Sequence, residues 1–368
     1  MYNFFRKNIQ YLRIKKYYKS GFVKGVATLT SGAFLAQLIS ISTAPILYRI
    51  YDKVDYGLLG TYMAVASITT VFSSFQFGQL ILLMDTDEDA RKAIWINRYI
   101  NIFFSIIIFG LTFFLNEKLS NLLNTSNLSN WLLLLPFSIF FTGQNEISRI
   151  WINRKGQYKI LATNSLISAV SIPIISITIG YFKQGPAGLF IGLMISQILP
   201  FITLSLFMKR RYQLSNKNIR FSELLAIAKA NLSFPKYSIP TEFIHRLIEQ
   251  MPVLLIGKYY GAALVGVYNL CMRMLSIPVG MLTNALGEVF KQRAALDYNE
   301  FGTCRNIFIK TLKLLTVFSI LLLVFVSIFS KVLFTTFFGV EWEEAGFFAK
   351  ILVWLVCFQL VVSPLTYV

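Results

Sequence analysis

Residues 188–208 read GLFIGLMISQILPFITLSLFM, a run of 21 residues that contains no Asp, Glu, Lys or Arg. A helix needs roughly 20 residues to cross about 30 Å of hydrocarbon, so this run predicts a membrane-spanning helix. Seven further runs are of comparable length and almost free of charge: 27–48, 56–83, 99–115, 160–182, 259–287 (interrupted only by Arg273), 314–330 and 351–368.

The composition of the whole chain agrees with these runs. Of the 368 residues, 55% are hydrophobic and only 14% are charged, whereas about 25% are charged in an ordinary soluble domain. A soluble fold of this size would need more polar surface than the chain can supply. Alternation over about ten residues, which membrane β-strands show, is absent. The sequence therefore predicts an all-α integral membrane protein.

Two weaker runs bring the predicted number of spans to ten. The run from Trp131 to Ile152 includes Glu146 and Arg149, which are interpreted as a surface pair, and the run 237–257 includes four ionisable residues. Six spans then form an N-terminal bundle at 27–208. A basic cytoplasmic linker at 209–236 leads to a C-terminal bundle at 237–368 that has only four helices. We expect the two bundles to surround a central cavity.

The distribution of Lys and Arg tests this count of spans. The chain has 35 Lys and Arg against 17 Asp and Glu, a formal net charge of +18. With a cytoplasmic N-terminus, 26 of these cations fall in inner segments and 6 in outer loops. This bias is the positive-inside pattern, so the excess charge is assigned to membrane orientation and not to nucleic acid. Residues 1–26 form a basic cytoplasmic segment, predicted to lie on anionic lipid.

A short pattern recurs at two predicted outer hairpins. The first hairpin has Arg49, Tyr51 and Gly57, and 209 residues later the chain has Lys258, Tyr260 and Gly266. Repeated halves are common in transporters. The pattern therefore favours two bundles related by an axis along the membrane normal.

The residues around these hairpins resemble a known family. Residues 45–57, 255–268 and 338–346 are similar to the bacterial oligosaccharide flippases of the polysaccharide-synthesis family, in the multidrug/oligosaccharidyl-lipid/polysaccharide exporter superfamily. Members of that superfamily usually have twelve to fourteen helices in two bundles. This sequence departs from that pattern by stopping inside its tenth predicted span, so we expect a truncated C-terminal bundle.

The resemblance implies a transport function and no enzymatic one. The implied substrate is an isoprenoid (undecaprenyl)-pyrophosphate-linked oligosaccharide, moved from the inner to the outer leaflet of a bacterial cytoplasmic membrane by alternating access. Such substrates serve O-antigen, lipopolysaccharide or capsule synthesis. Coupling to the membrane potential or to an H+ or Na+ gradient is expected, with membrane lipids and glycan-assembly proteins as partners and no cofactor.

The charged residues of the seventh span are the main candidates for a site. Glu242, His245, Arg246 and Glu249 occupy positions i, i+3, i+4 and i+7, so they share one helix face. Ionisable groups at membrane depth are costly and are expected to face a bundle interior or a wet cavity. Glu242, His245 and Glu249 are the candidate ion-coupling residues. Internal pairing of Arg246 with the two glutamates is the alternative.

Four cations are candidates for binding the pyrophosphate, because a planar guanidinium donates two parallel hydrogen bonds to a phosphate. They are Arg246, Arg273, Arg49 and Lys258. For Arg49 and Lys258 the alternative is extension of the side chain to lipid headgroups. Polar residues inside the spans fit a sugar-lined cavity and fit hydrogen bonding between helices equally well; they are Gln37, Gln76, Asn164 and Gln197.

Two other functions are weighed against the flippase. Asp52 and Asp55 in the first outer loop would suit a polyprenyl-sugar-dependent membrane glycosyltransferase, and Asp85-Thr86-Asp87 matches a short acidic motif of nucleotide-sugar enzymes. A multidrug or cation antiporter of the same superfamily is the third hypothesis. Glycine-rich phosphate loops and Ser/His/Asp sets are absent, and the single histidine argues against a His/Cys metal cluster.

Overall fold

The computed structural model describes residues 2–73, 75, 77–122, 125–182, 185–212 and 220–366, and the regular elements of this part are helices. The α-helices, in chain order, are α1 Tyr2–Ile50, α2 Lys53–Thr70, α3 Leu80–Leu83, α4 Asp87–Leu122, α5 Ser129–Leu132, α6 Leu135–Arg154, α7 Tyr158–Phe182, α8 Ala187–Tyr212, α9 Phe221–Ala230, α10 Ser233–Tyr260, α11 Ala262–Phe301, α12 Arg305–Phe338 and α13 Glu343–Val362.

Seven stretches of the described chain are long and apolar enough to cross a membrane. They lie in α1, α4, α7, α8, α11 and α12 and at Val340–Leu365. The remaining predicted spans coincide with α2–α3, α6 and α10, which are helical but shorter or more charged. Large apolar side chains on α4 face outward, with Phe103 65% and Phe113 60% exposed, as lipid-facing residues are. The predicted class, an all-α integral membrane protein, is confirmed.

The second span differs from its prediction. Residues 56–83 were expected to form one helix, but α2 ends at Thr70 and a 3₁₀ turn at Phe77–Gln79 precedes α3. Ser73 Oγ donates to the Thr70 carbonyl at 2.7 Å, and Phe75 has a φ of +47°, which an α-helix cannot contain. Hydroxyl side chains that bond to the backbone compete with the helix. A hydropathy pattern does not detect that competition.

The ends of the chain also differ from their predictions. The tenth span was expected at 351–368, yet α13 already begins at Glu343 and ends at Val362. Glu343 and Glu344 in its first turn favour a helix start there, because carboxylates stabilise helix N-termini. Pro364 follows in a 3₁₀ turn. At the other end α1 is continuous from Tyr2, while the side chains of residues 1–24, predicted to contact lipid, lie outside the described residues.

Contacts between Cα atoms group the chain into two compact units. Unit 1 contains Met1–Thr43 and Tyr62–Leu254, and unit 2 contains Ala44–Thr61 and Leu255–Val368. The bundles expected at 27–208 and 237–368 remain predictions. In unit 1, helices α4, α6 and α8 share a buried apolar cluster that includes Ile94, Ile147, Trp151, Leu204 and Met208.

Unit 2 contains a close crossing of α2 and α11 through small residues. A Cβ on Gly57 would lie 1.7 Å from the Ala262 carbonyl oxygen, and one on Gly266 would lie 2.1 Å from the Lys53 carbonyl oxygen. Adding 209 to Lys53 and Gly57 gives Ala262 and Gly266, so each contact is the counterpart of the other. A two-fold axis produces this reciprocity. The crossing therefore supports the repeat seen in the sequence.

Candidate functional site

The charged face of α10, in unit 1, forms a chain of ion pairs. Arg246 Nε donates to Glu242 Oε1 at 2.9 Å, and Arg246 Nη1 donates to Glu249 Oε2 at 3.1 Å. The side chains of Arg246, Glu242 and Glu249 are 41%, 36% and 50% exposed, and His245 is also exposed. The predicted common face is therefore present, and it is open to water-sized molecules.

This arrangement limits what Arg246 can bind. A guanidinium has five N–H donors, so Arg246 can still donate to a phosphate, but that phosphate would compete with two carboxylates. The three paired side chains carry one net negative charge when both glutamates are ionised. These bonds are the internal pairing that the sequence offered as the alternative, and the ion-coupling role of Glu242, His245 and Glu249 stays a prediction.

A second polar surface of unit 1 lies on α6, α7 and α8. Thr142, Asn145, Glu146, Arg149, Ser168, Ser196 and Gln197 line an open cleft of about 420 Å³, here called the polar cleft. The charges of Arg246 and Glu242 act on Glu146, so the charged face of α10 adjoins the polar cleft. Glu146, Glu242, Arg149 and Arg246 are therefore neighbours in this region of unit 1.

Two amide oxygens of the polar cleft are buried without a hydrogen-bond donor among the described residues. These atoms are Asn145 Oδ1 and Gln197 Oε1. Asn145 Nδ2 donates to the Gln197 main-chain carbonyl at 2.8 Å, which holds the first amide in place. An unsatisfied buried acceptor is costly, so both oxygens are suited to accept hydrogen bonds from ligand hydroxyls or water.

The sequence interpreted Glu146 and Arg149 as a surface pair, and both side chains are exposed in the structure, with the charge of Arg149 acting on Glu146. Both side chains line the polar cleft, and Arg149 Nη1 lies 3.5 Å from Ser165 Oγ on α7. The available signal was the helical spacing of Thr142, Asn145 or Glu146, and Arg149 in an otherwise apolar helix. That spacing places polar groups on one face, although it does not show what the face meets.

The other polar residues of the predicted spans lie in different surroundings in the structure. Asn164 is buried and its Nδ2 donates to the Pro200 carbonyl at 3.3 Å and to Thr203 Oγ1 at 3.2 Å. It therefore links α7 to α8 and does not line the polar cleft. Gln37 on α1 is half-buried, and Gln76 lies outside the described residues. Of the three that the structure describes, only Gln197 lines the polar cleft.

The remaining candidate cations lie in unit 2. Arg49 Nη2 donates to the Thr336 carbonyl at the end of α12 at 2.8 Å. The Lys258 ammonium lies 5.7 Å from the centre of the Tyr259 ring. Arg273 is exposed, and its charge acts on the hydroxyl group of Tyr48. Arg49 thus has a structural partner in addition to its predicted role.

The acidic motifs assigned to enzymes have local structural roles. Asp52 Oδ1 accepts the Asp55 N–H at 2.8 Å and so caps α2. The Asp89 N–H donates to Thr86 Oγ1 at 3.1 Å at the start of α4, and Asp87 pairs with Arg154 and Lys155. In the described part of the chain, no three His, Cys, Asp or Glu side chains are grouped as metal ligands.

Comparison with known proteins gives the family. The profile described as "Polysaccharide biosynthesis protein" matches residues 46–346. The chain belongs to the polysaccharide biosynthesis protein family. Among curated relatives, the lipopolysaccharide biosynthesis protein WzxC of Escherichia coli is 18% identical over 302 residues, 81% of this chain and 59% of WzxC. The predicted family is therefore confirmed.

A second relative matches a shorter part of the chain. The teichuronic acid biosynthesis protein TuaB of Bacillus subtilis is 28% identical over 113 residues, which are 31% of this chain and 23% of TuaB. The chain thus spans less than two thirds of the length of these relatives.

Solved transporters share the fold. The MATE multidrug transporter DinF-BH, solved in complex with R6G, aligns over 92% of this chain and 82% of its own, with a TM-score of 0.57 and 17% identity. The eukaryotic MATE transporter AtDTX14 aligns over 94% of this chain and 82% of its own, with a TM-score of 0.53 and 14% identity. The chain is thus a multi-pass membrane protein that shares the fold of these MATE transporters.

Proposed function

We propose that this chain is part of a flippase that moves an isoprenoid-pyrophosphate-linked oligosaccharide from the inner to the outer leaflet by alternating access. Membership of the polysaccharide biosynthesis family supports the class of substrate. The single observation that carries the proposal is the polar cleft, because it places amide, hydroxyl and charged groups among apolar helices. A glycan headgroup would lose its hydration in hydrocarbon unless such groups replaced it.

The buried acceptors of the polar cleft support recognition of sugars. Each sugar hydroxyl carries a donor, and Asn145 Oδ1 and Gln197 Oε1 have no donor among the described residues. Hydrogen bonds from sugar hydroxyls would satisfy both oxygens. The small hydroxyl residues Ser168 and Ser196 add groups that both donate and accept. The polar cleft would therefore hold part of the glycan during its passage.

The charged residues would serve the pyrophosphate and the coupling ion. Arg246, Arg273, Arg49 and Lys258 remain the proposed phosphate-binding cations, and Arg149 joins them because it lines the polar cleft. Glu242, His245 and Glu249 remain the proposed ion-coupling residues, for H+ or Na+. With an inside-negative potential, outward movement of two negative charges gains up to about 4–5 kcal/mol per 100 mV.

The same proposal includes a location and an orientation. The flippase would lie in a bacterial cytoplasmic membrane with its N-terminus in the cytoplasm, because 26 Lys and Arg then lie in inner segments and 6 in outer loops. Under this orientation α10 begins at the inner surface, and the glycan would enter from the side where it is assembled. Glycan-assembly proteins would be its partners there.

Deletion of the gene in its own bacterium tests the proposal. We expect lipid-linked repeat units to accumulate on the inner leaflet and surface glycan to fall, with recovery when the gene is restored. The leaflet is measured by accessibility of the glycan to a sugar-modifying enzyme in inside-out and right-side-out vesicles. Normal surface glycan without accumulation would contradict the flippase.

The alternatives give different results in the same cells. A glycosyltransferase would leave unfinished lipid-linked sugars, and transfer by the purified protein would be lost in Asp52→Asn or Asp55→Asn. A multidrug antiporter would leave the glycan unchanged and lower the efflux of cationic dyes. Each pattern would contradict the translocation of lipid-linked glycan.

A further inference from the structure

A groove separate from the polar cleft lies on unit 1 between α4, α6 and α8. It has a volume of about 650 Å³ and two cations in its lining, Arg98 and Lys209. From α6 it takes Phe140 and Gln144, whereas the polar cleft takes Thr142, Asn145, Glu146 and Arg149. The two surfaces therefore occupy different faces of α6, and this second one is here called the basic groove.

Both cations of the basic groove stand at the same depth in the membrane. Arg98 immediately precedes the charge-free run 99–115, and Lys209 immediately follows the run 188–208. Because α4 and α8 are separated by two further crossings, in α6 and α7, they run in opposite directions. The start of one charge-free run and the end of the other therefore reach the same surface. At that boundary between hydrocarbon and water lie the phosphates of one lipid leaflet.

The charged end of the basic groove contains donors without acceptors. Arg98 Nε and Trp95 Nε1 are buried and have no hydrogen-bond partner among the described residues. The Arg98 guanidinium lies 5.2 Å from the centre of the Trp95 ring, which fixes its position. Two buried donors beside two positive charges are suited to an anion whose oxygens accept hydrogen bonds.

Apart from Gln144 and Ser205, the rest of the basic groove is mainly apolar, and it opens toward lipid. Ile102 on α4 is 40% exposed, and the rings of Phe140 and Phe201 lie 5.9 Å apart on the opposite wall. An apolar surface next to a cationic end matches a molecule with a phosphate head and a hydrocarbon chain. A free phosphate would leave this apolar wall uncovered.

We propose that the basic groove binds one anionic phospholipid of the surrounding leaflet. Its phosphate accepts hydrogen bonds from Arg98 and Trp95 and pairs with Lys209, while one acyl chain covers Ile102, Phe140 and Phe201. The site is independent of the proposed glycan translocation, because it uses the other face of α6. Binding would join α4 to α8 and stabilise unit 1.

Native mass spectrometry of the purified full chain tests the site. The protein is titrated with phosphatidylglycerol and with phosphatidylcholine of identical acyl chains. We expect one phosphatidylglycerol to remain bound, with an affinity at least about tenfold above that of phosphatidylcholine. Equal retention of both lipids would overturn the proposal, because the cations would then play no part.

Variants separate the groove from general surface charge. Arg98→Gln combined with Lys209→Gln should lower the affinity for phosphatidylglycerol about tenfold, and Ser205→Phe should do the same by filling the groove without changing its charge. Arg210→Gln is the matched control, because Arg210 is an exposed neighbour outside the groove lining. An equal loss in the control, or no loss in the first two variants, would contradict the site.

Two competitors identify the source of the phosphate. If inorganic phosphate displaces phosphatidylglycerol at equal concentration, the groove is an anion site and the lipid assignment is overturned. If undecaprenyl phosphate binds more tightly than phosphatidylglycerol, the groove belongs to the isoprenoid carrier and the phospholipid assignment is overturned as well. If the double variant does not fold, Lys209→Gln alone decides, because Lys209 is exposed and its loss leaves no buried group.

Discussion

Arg246 holds two carboxylates of α10 at once, and its replacement tests both of its proposed roles. Arg246→Ala leaves Glu242 and Glu249 without their shared partner, whereas Arg246→Lys keeps the charge but loses the two-sided guanidinium. We expect Arg246→Ala to lower glycan translocation severalfold and Arg246→Lys to lower it less. Restoration of surface glycan in the deletion strain, at equal protein level, provides the measurement.

The comparison needs a cation outside the site as its control. Arg210 is exposed near the end of α8, and Arg210→Ala should restore the glycan fully. Wild-type activity of both Arg246 variants would remove Arg246 from the site and leave its ion pairs as helix surface contacts, which contribute little.

Gln197 offers a test of glycan recognition at a single atom. Gln197→Leu removes the buried acceptor Oε1 from the polar cleft and keeps a side chain of similar length. We expect a roughly tenfold loss of translocation, the effect of about 1.4 kcal/mol, with the protein level unchanged. Thr178→Val is the control, because the Thr178 hydroxyl bonds within its own helix. Equal activity of both variants would exclude Gln197 from recognition.

The buried carboxyl group of Asp55 should make the stability of the protein depend on pH. Burial, and then the nearby Asp52 carboxylate, raise the pKa of Asp55 to about 6 from its ordinary 3.8. The folded state therefore holds the proton more tightly than the unfolded state. The stability that this proton supports is complete below the unfolded pKa and is lost as pH rises through the folded pKa. The relevant window is 3.8 to about 6.

Asp55→Asn should therefore raise the thermal midpoint at neutral pH. The amide imitates the protonated carboxyl, so the increase should be present at about pH 7.5 and small at about pH 4. Thermal unfolding of the purified full chain in detergent at the two pH values measures it. An increase of the same size at both would mean that the carboxylate is not the cause.

At the scale of helices, the crossing of α2 and α11 permits a matched glycine series. A Cβ at Gly57 or Gly266 would lie within about 2 Å of a main-chain oxygen of the other helix, whereas one at Gly280 would meet nothing within 4 Å. Gly57→Ala and Gly266→Ala should each cost about 1–3 kcal/mol of stability, the usual cost of overpacking. Gly280→Ala should be neutral or stabilise by up to about 1 kcal/mol.

Because the two contacts of this crossing are counterparts, the Gly57 and Gly266 variants also test the repeat. If a two-fold axis relates α2 to α11, Gly57→Ala and Gly266→Ala should lower the thermal midpoint by similar amounts. A large loss in one variant and none in the other would contradict the repeat, and a loss as large in Gly280→Ala would show that any alanine in these helices is harmful.

Helices and their charged faces could be predicted from the sequence, because both depend on neighbours along the chain. The run 188–208 met the length needed to span, and Glu242, Arg246 and Glu249 were separated by helical spacing. The bend after Thr70 was not predictable from hydropathy, since it depends on hydroxyl-to-backbone bonds and on the conformation of Phe75.

The surfaces that join separate helices could not be predicted in the same way. Glu146 and Arg149 share a face of α6, but only the packing of α7 and α8 brings Ser168 and Gln197 to that face. Arg98 and Lys209, 111 residues apart, each look like a cation that extends to headgroups. Only the packing of α4, α6 and α8 shows that both line one groove. A single sequence does not show which helix faces pack against each other.

At the scale of the whole molecule, the charge of the proposed substrate makes translocation sensitive to voltage. A pyrophosphate that carries two negative charges outward gains up to about 4–5 kcal/mol per 100 mV of inside-negative potential, shared between the forward and reverse rates. Cations that stay fixed in the protein do not move through the membrane potential with the substrate, so they cannot cancel this voltage-dependent free energy completely. We therefore expect flipping of a lipid-linked oligosaccharide in proteoliposomes to accelerate when the lumen that represents the cytoplasm is made negative, and to slow when it is made positive.

Valinomycin with opposite potassium gradients sets the two potentials, and access of a sugar-modifying enzyme to the outer surface measures the flipped fraction. A neutral lipid-linked glycan without the pyrophosphate is the control for leak and should not respond to voltage. If flipping of the charged substrate does not respond to voltage either, a cation that moves with it through Glu242, His245 and Glu249 would explain the result. In that case, Glu242→Gln combined with Glu249→Gln should restore the voltage dependence. Insensitivity in that variant as well would contradict movement of the pyrophosphate charge through the protein.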